Sequence, residues 1–317
     1  MKRLLLAAAA IAVAATGAVA QTPKKGGVLN FAINSEPPTL DCHATTTFAT
    51  IHPVRPMYST LLQFRGDVNK KLDITGDLAK SWEMSKDGLT FTFKLHENVK
   101  FHDGSALTSA DVKASYERII NPPEGVVSPR RALHADIASI DTPDATTVVF
   151  KLKQPNSSMI NNFASPFNCI YSAAKLKENQ KYMETAPMGS GAFQFVEYVK
   201  GATLAAKKFD GYFKAGLPHL DGYKTFIVKG PQIVPGIQGG QFDIEFRGRT
   251  PKEHEQLVQA MGNKVVSQTG PWTTTLLFTF NTKKKPFDDI RVRQALTMAI
   301  DRWGSADGLS KASFMRY

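Results

Sequence analysis

The stretch over residues 78–118 constrains the fold of this chain more than any other part of it. Apolar side chains alternate with polar ones over residues 89–95, which is the period of a half-buried strand. Asp87 and Gly88 come directly before it and tolerate the backbone conformations of a tight turn. A second alternation passes through Val99 and Phe101. The pattern predicts a β-hairpin.

A capped helix should follow the hairpin. Thr108 stands three residues before Asp111, which is the spacing of a capping box, and Pro122 stops the helix. Hairpin, turn and helix form one α+β packing unit without an evident reactive group. Earlier in the chain, residues 51–64 read as a helix interrupted at Pro53 and Pro56.

Two long motifs keep their internal spacing. The first consists of Trp82, Ser85, Asp87-Gly88, Phe91-Thr92-Phe93, Val99-Lys100-Phe101-His102-Asp103-Gly104, Thr108, Asp111-Val112 and Ser115. The second consists of Phe280-Asn281, Pro286-Phe287, Asp289, Arg291-Val292-Arg293, Ala295-Leu296 and Ala299-Ile300-Asp301-Arg302. In both, the chain resembles the family-5 extracytoplasmic solute-binding proteins, which are the oligopeptide-, dipeptide- and nickel-type receptors of ABC importers.

The resemblance implies a mixed α/β fold of the periplasmic-binding-protein type II kind, bilobal and with an extra inserted α+β domain. Residues 21–65 and 175–268 would form the first lobe, and residues 66–174 the inserted domain. Residues 269–317 would supply the crossover strand and the first helix of the second ligand lobe. Such proteins continue further, so we expect a chain truncated at the C-terminus, with the last lobe largely missing.

Residues 1–20 have the pattern of a secretory signal peptide. Lys2 and Arg3 precede an apolar run that is too short to span a bilayer, and Ala18-Val19-Ala20 is a cleavage signature. The sequence therefore predicts export to the periplasm. An N-terminal membrane anchor is the alternative.

The net charge narrows the classes of molecule that the chain could bind. It is +11, yet no nucleic-acid module is present, so a solvated basic surface is the favoured interpretation.

Export permits a disulfide between Cys42 and Cys169, but sequence alone does not show that their Cα atoms approach. Two free thiols are the favoured interpretation, and the bridge stays open.

The resemblance also implies which side chains face the ligand. These are Thr46, Phe48, Phe246, Arg247, Trp272 and Thr274. The planar charged fork of Arg247 suits a carboxylate. Each has a plainer alternative: a helix start for the threonine-rich loop, a surface arginine, and a core tryptophan.

The sequence indicates binding without catalysis. His43 lacks the spaced partners of a metal site, so a structural histidine is favoured, and no metal or cofactor is expected. The expected partners are a small peptide or other small solute and the permease subunits of an ABC importer, with the chain a monomer. An exported hydrolase using His102 and Asp103 is one alternative, although these residues have a plain turn explanation. A remnant that binds nothing is the other.

Overall fold

A computed structural model describes residues 23–65, 73–245, 250–267 and 279–299. The strands within these ranges are β1 (Val28–Ile33), β2 (Leu62–Arg65), β3 (Asp73–Gly76), β4 (Ala79–Met84), β5 (Thr90–Leu95), β6 (Ile137–Asp144), β7 (Thr147–Leu152), β8 (Phe193–Val199), β9 (Thr203–Lys208) and β10 (Gly222–Ile227). The α-helices are α1 (Phe48–Val54), α2 (Ser109–Ile120), α3 (Met159–Phe163), α4 (Ala173–Glu178), α5 (Gly230–Gln238), α6 (Pro251–Met261) and α7 (Ile290–Ala299). Short 3-10 helices cover Arg55–Met57, Arg131–His134, Tyr182–Glu184 and Gly262–Lys264. The predicted signal peptide and most of the predicted crossover strand lie outside the described residues.

One four-stranded sheet joins distant parts of the chain in the order β1-β10-β9-β8. β1 runs parallel to β10, with Val28 opposite Gly222 and Ile33 opposite Ile227, while the other pairs are antiparallel. A core of buried side chains lies against this sheet and α1, and it includes Leu40, Cys42, Ile51, Val54, Met57, Tyr58, Phe167, Cys169, Tyr171, Leu204 and Tyr223.

A second four-stranded sheet is antiparallel, in the order β4-β5-β7-β6. The alternation predicted for residues 89–95 is confirmed, because Phe91, Phe93 and Leu95 are buried on one face of β5. Edge-to-face ring contacts fill the core on that face, such as Phe93 with Phe150 at 5.6 Å between ring centroids. Residues 99–101 form no strand, and the hairpin joins β4 to β5 instead.

Helix α2 covers the second sheet and has the predicted cap. The backbone nitrogen of Thr108 donates to Asp111 Oδ2 at 2.7 Å, and the helix ends at Ile120, ahead of Pro122. Tyr116 on its buried face contacts the Phe150 ring at 4.9 Å. Every strand of this sheet lies within residues 79–152, inside the insertion expected at 66–174, whose limits stay a prediction. β2 and β3 pair with each other across the expected limit at residue 66.

The helix predicted over residues 51–64 is wrong in its second half. The α-helix ends at Val54, and Leu62–Arg65 is the strand β2, paired with β3. Pro56 brings no amide hydrogen, and Tyr58 adopts an extended backbone after the 3-10 turn. The Leu61 carbonyl then accepts from the amides of Asp77 and Ala79, which commits the chain to β structure.

The preference for free thiols was also wrong. Cys42 and Cys169 form a disulfide with their Cα atoms 6.1 Å apart, although 127 residues separate them in sequence. Tertiary contacts bring the two segments together: the Ile170 amide donates to the Ser59 carbonyl, and His43 Nε2 bonds the Cys169 carbonyl. Contacts between segments this distant leave no local pattern in the sequence.

Helix α7 lies within residues 269–317, where the resemblance implies a helix, and its first turn is capped by Asp289, whose Oδ1 accepts from the Arg291 amide at 2.8 Å. None of its side chains is buried among the described residues; Leu296 is 40% exposed. Among the described helices, none combines the length and the apolar character needed to cross a bilayer.

Candidate ligand-binding surface

Thr46 and Phe48 lie where a loop enters helix α1. Thr47 caps the helix, its side-chain oxygen accepting from the Ala49 amide at 3.2 Å. Thr46 is exposed, and the Phe48 side chain is 48% exposed at the first helical position. The other four predicted site residues, Phe246, Arg247, Trp272 and Thr274, lie outside the described residues, so their roles stay predictions.

Ring contacts fix Phe48 in place despite its exposure. His52, one helical turn later, stacks on it with 5.0 Å between centroids. The buried Phe167 packs against it at 6.1 Å. The spacing of four residues could have pointed to His52, whereas Phe167 has no sequence signal, because it arrives through tertiary contacts.

A positive charge lies beside these rings. The guanidinium carbon of Arg130 is 3.7 Å from the centroid of Phe167, a cation–π stack. Burial lowers the pKa of Arg130 from its ordinary value. Arg130 is half-buried and was not singled out from the sequence. We call Phe48, His52, Phe167 and Arg130 the Phe48 surface.

Strand β1 connects the Phe48 surface to the segment that precedes Phe246. The Phe31 ring on β1 lies 6.4 Å from His52, and Phe31 forms a parallel bridge with Ile244. The Ala32 amide donates to the Ile244 carbonyl at 3.0 Å. The predicted residues Phe246 and Arg247 follow this bridge by two and three positions in the chain.

A buried ion pair lies directly before the loop that carries Thr46 and Phe48. Arg118 of α2 contacts Asp41 Oδ2 at 2.6 Å, and both side chains are almost fully buried. Asp41 also accepts from the Tyr171 hydroxyl at 2.8 Å. The structural role expected for His43 agrees with its contacts: Nδ1 accepts from Arg118, so the proton resides on Nε2, which donates to the Cys169 carbonyl at 2.8 Å.

The pKa values agree with a charged pair beside a neutral histidine. Burial by itself raises the pKa of Asp41, but the charge that His43 acquires at low pH and the charge of Arg118, with hydrogen bonds from Arg118 and Tyr171, bring it below its ordinary value. Burial lowers the pKa of His43 to about 4. Asp41 is therefore ionised and His43 neutral at pH 7.

Replacing Asp41 by Asn should destabilise the protein by about 3 kcal/mol, because it leaves the buried Arg118 charge without a counter-ion. Urea unfolding at pH 7 measures the loss. The matched control is Asp141→Asn, which breaks the exposed pair with Lys151 and should leave the urea midpoint almost unchanged. Equal losses in the two variants would contradict the role assigned to the buried pair.

A family model identifies the protein family of this chain. The model described as "Bacterial extracellular solute-binding proteins, family 5 Middle" matches residues 73–312. The chain belongs to this family. Its members are extracytoplasmic binding proteins of ABC importers rather than enzymes.

Curated relatives and solved structures support the same family assignment. The glutathione-binding protein GsiB of Pectobacterium atrosepticum is 34% identical over 250 residues, 78% of this chain and 47% of the relative. The PBP AgaA from A. tumefaciens, solved with agropinic acid, is 34% identical with a TM-score of 0.73, over 87% of this chain and 54% of that one. DppA from Helicobacter pylori, solved with the peptide STSA, is 25% identical with a TM-score of 0.74, over 91% and 58%.

These matches confirm the predicted fold class, a mixed α/β fold of the type II periplasmic-binding-protein kind. The chain spans about half the length of the curated relatives it matches.

The geometry of His102 does not support a hydrolase. Both of its ring nitrogens have backbone partners: Nδ1 accepts from the Gly189 amide at 3.3 Å, and Nε2 contacts the Gly191 carbonyl at 3.1 Å. Asp103 accepts from Ser105 within the turn. Among the residues that the structure describes, no group of three or more His, Cys, Asp or Glu side chains could hold a metal ion.

Proposed function

We propose that this chain is the solute-binding component of an ABC importer, and that its ligand is a small peptide or a similar solute derived from amino acids. One observation carries the proposal: Phe48, at a position predicted to face the ligand, is half-exposed yet held by ring contacts on two sides. An exposed aromatic side chain held in place offers apolar contact at little entropic cost.

The names of the relatives suggest the chemistry of the solute. GsiB is named for glutathione, AgaA was solved with agropinic acid and DppA with a peptide. Glutathione and short peptides are therefore suitable first probes. In this proposal, residues 1–20 direct the chain to the periplasm, where it works as a monomer and delivers its solute to the permease subunits.

Calorimetry with the purified chain tests the proposal. We expect glutathione, agropinic acid or an unblocked tripeptide to bind, and Phe48→Ala to weaken that binding by about tenfold or more, because the variant loses the exposed ring. Phe64→Ala is the matched control, since Phe64 is 42% exposed on β2 and has no place in the Phe48 surface. Its affinity should equal that of the unaltered chain.

Two results would count against the proposal. If none of the probes binds the unaltered chain, the alternative that the chain binds no solute is favoured. If Phe48→Ala and Phe64→Ala bind equally well, the Phe48 surface is not the binding site.

A further inference from the structure

Arg130 differs from two other arginines that the described residues pack into the body of the protein. Arg118 contacts Asp41 at 2.6 Å and Arg55 contacts Asp77 at 3.0 Å, so each of these guanidinium groups has a carboxylate. Within the described residues, the Arg130 guanidinium has no carboxylate partner, and this distinguishes it, because the Nε atoms of Arg118 and Arg130 are both buried without an acceptor. The buried Nε is closed to a ligand, but a partly desolvated charge without a counter-ion carries a cost that an anion at the two terminal NH2 groups can remove.

The position of Arg130 is set from two directions. Its backbone carbonyl accepts from the Leu133 amide at 3.0 Å, at the start of the 3-10 turn. Ser128, two residues earlier, is buried and bonds the Ile119 carbonyl at the end of α2. The backbone around Arg130 is therefore held, while stacking on Phe167 holds its guanidinium.

Stacking leaves the edge of a guanidinium available. The ring of Phe167 covers one face of the plane, and the N–H groups point outward in that plane. This fork matches the two oxygens of a carboxylate, and the partly desolvated setting strengthens the resulting bonds. Phe167 in turn packs against Phe48, so the charge and the exposed ring both contact the same buried ring.

We propose that Arg130 binds a carboxylate of the solute, while Phe48 contacts its apolar part. This inference rests on the function proposed above and adds to it: the ligand is an acid, and a neutral amide of the same solute is discriminated against. The specificity is assigned to a residue that the sequence patterns did not indicate.

The test compares free acids with amides that have no carboxylate. Calorimetry is run with glutathione as the free acid and with both of its carboxyl groups amidated, and with the tripeptide Ala-Ala-Ala as the free acid and as the C-terminal amide, on the full chain and on Arg130→Gln. We expect the unaltered chain to prefer the acid by tenfold or more. Arg130→Gln should lose that preference by weakening acid binding while leaving amide binding within twofold.

Two further variants separate charge from geometry. Arg131→Gln is the matched control, because Arg131 is the adjacent arginine and is exposed. It should keep the full preference. Arg130→Lys keeps the charge without the planar fork, and we expect it to recover only part of the preference. Melting temperatures of all variants report whether they fold.

The outcomes are distinguishable. If Arg130→Gln weakens acid and amide equally, Arg130 only supports the surface and the inference is overturned, while the proposed function stands. The same holds if the variant changes neither affinity. If the unaltered chain binds none of the four probes, the proposed function and this inference fall together.

Discussion

Lowering the pH from 7 to 5 is expected to reduce the free energy of unfolding by about 6 kcal/mol, because three neutral histidines resist protonation in the fold. Burial lowers the pKa values of His43, His102 and His134 to about 4 each, from an ordinary value of 6.5. Between pH 6.5 and 4 the unfolded chain therefore binds more protons than the folded one. Stability is present in full above pH 6.5 and falls as the pH drops through this window.

The size of the expected stability loss follows from the same pKa values. At pH 5 each histidine contributes about 2 kcal/mol of the loss, because its unfolded form is almost fully protonated and its folded form mostly neutral. Burial raises the pKa of Asp41, but its charged neighbours lower it below 3.8, so this carboxyl adds to the loss only at still lower pH.

Urea unfolding curves at pH 7, 6 and 5 measure this dependence. His134→Asn provides the control: it removes one of the three groups, so about a third of the pH dependence should disappear. A stability that stays constant from pH 7 to pH 5 would show that these side chains are not held neutral in solution.

Removing the disulfide by replacing both Cys42 and Cys169 with Ser should cost about 5 kcal/mol, because the bridge closes a long loop in the unfolded chain. The two cysteines are 127 residues apart in sequence. The bridge also links the loop that carries Thr46 and Phe48 to the segment that carries Phe167. The variant should therefore lose solute affinity as well as stability.

The urea midpoint of the double variant gives the stability loss. Dithiothreitol should shift the unaltered chain toward the same midpoint and leave the variant unchanged, which makes the variant its own control. A loss below about 1 kcal/mol would mean that tertiary contacts alone hold the two segments together.

Patterns among neighbouring residues predicted correctly those elements whose stabilising contacts also lie between neighbouring residues. The alternation over residues 89–95 and the capping pair Thr108 and Asp111 each involve neighbours in sequence, and both appear as predicted. The helix predicted over residues 51–64 is wrong in its second half, because a short apolar run with prolines is compatible with either a helix or a strand. Pairing with β3 favours the strand.

The candidate site was harder to predict from the sequence than the secondary structure. The family resemblance pointed to Thr46 and Phe48, but their neighbours Phe167 and Arg130 come from segments more than eighty positions along the chain. The segments that carry these residues are joined to the loop of Thr46 and Phe48 by the disulfide and by the Asp41–Arg118 pair, both of which are tertiary contacts. A single sequence carries no periodic signal for such contacts.

During synthesis, β1 emerges long before the strand it pairs with. Val28 lies opposite Gly222, so at ordinary rates of translation about 10 to 40 s pass before β10 is made. The four strands of the second sheet lie within residues 79–152 and need no later segment for their pairing. The second sheet can therefore complete its pairing from the middle of the chain alone, whereas β1 cannot pair until β10 has been made.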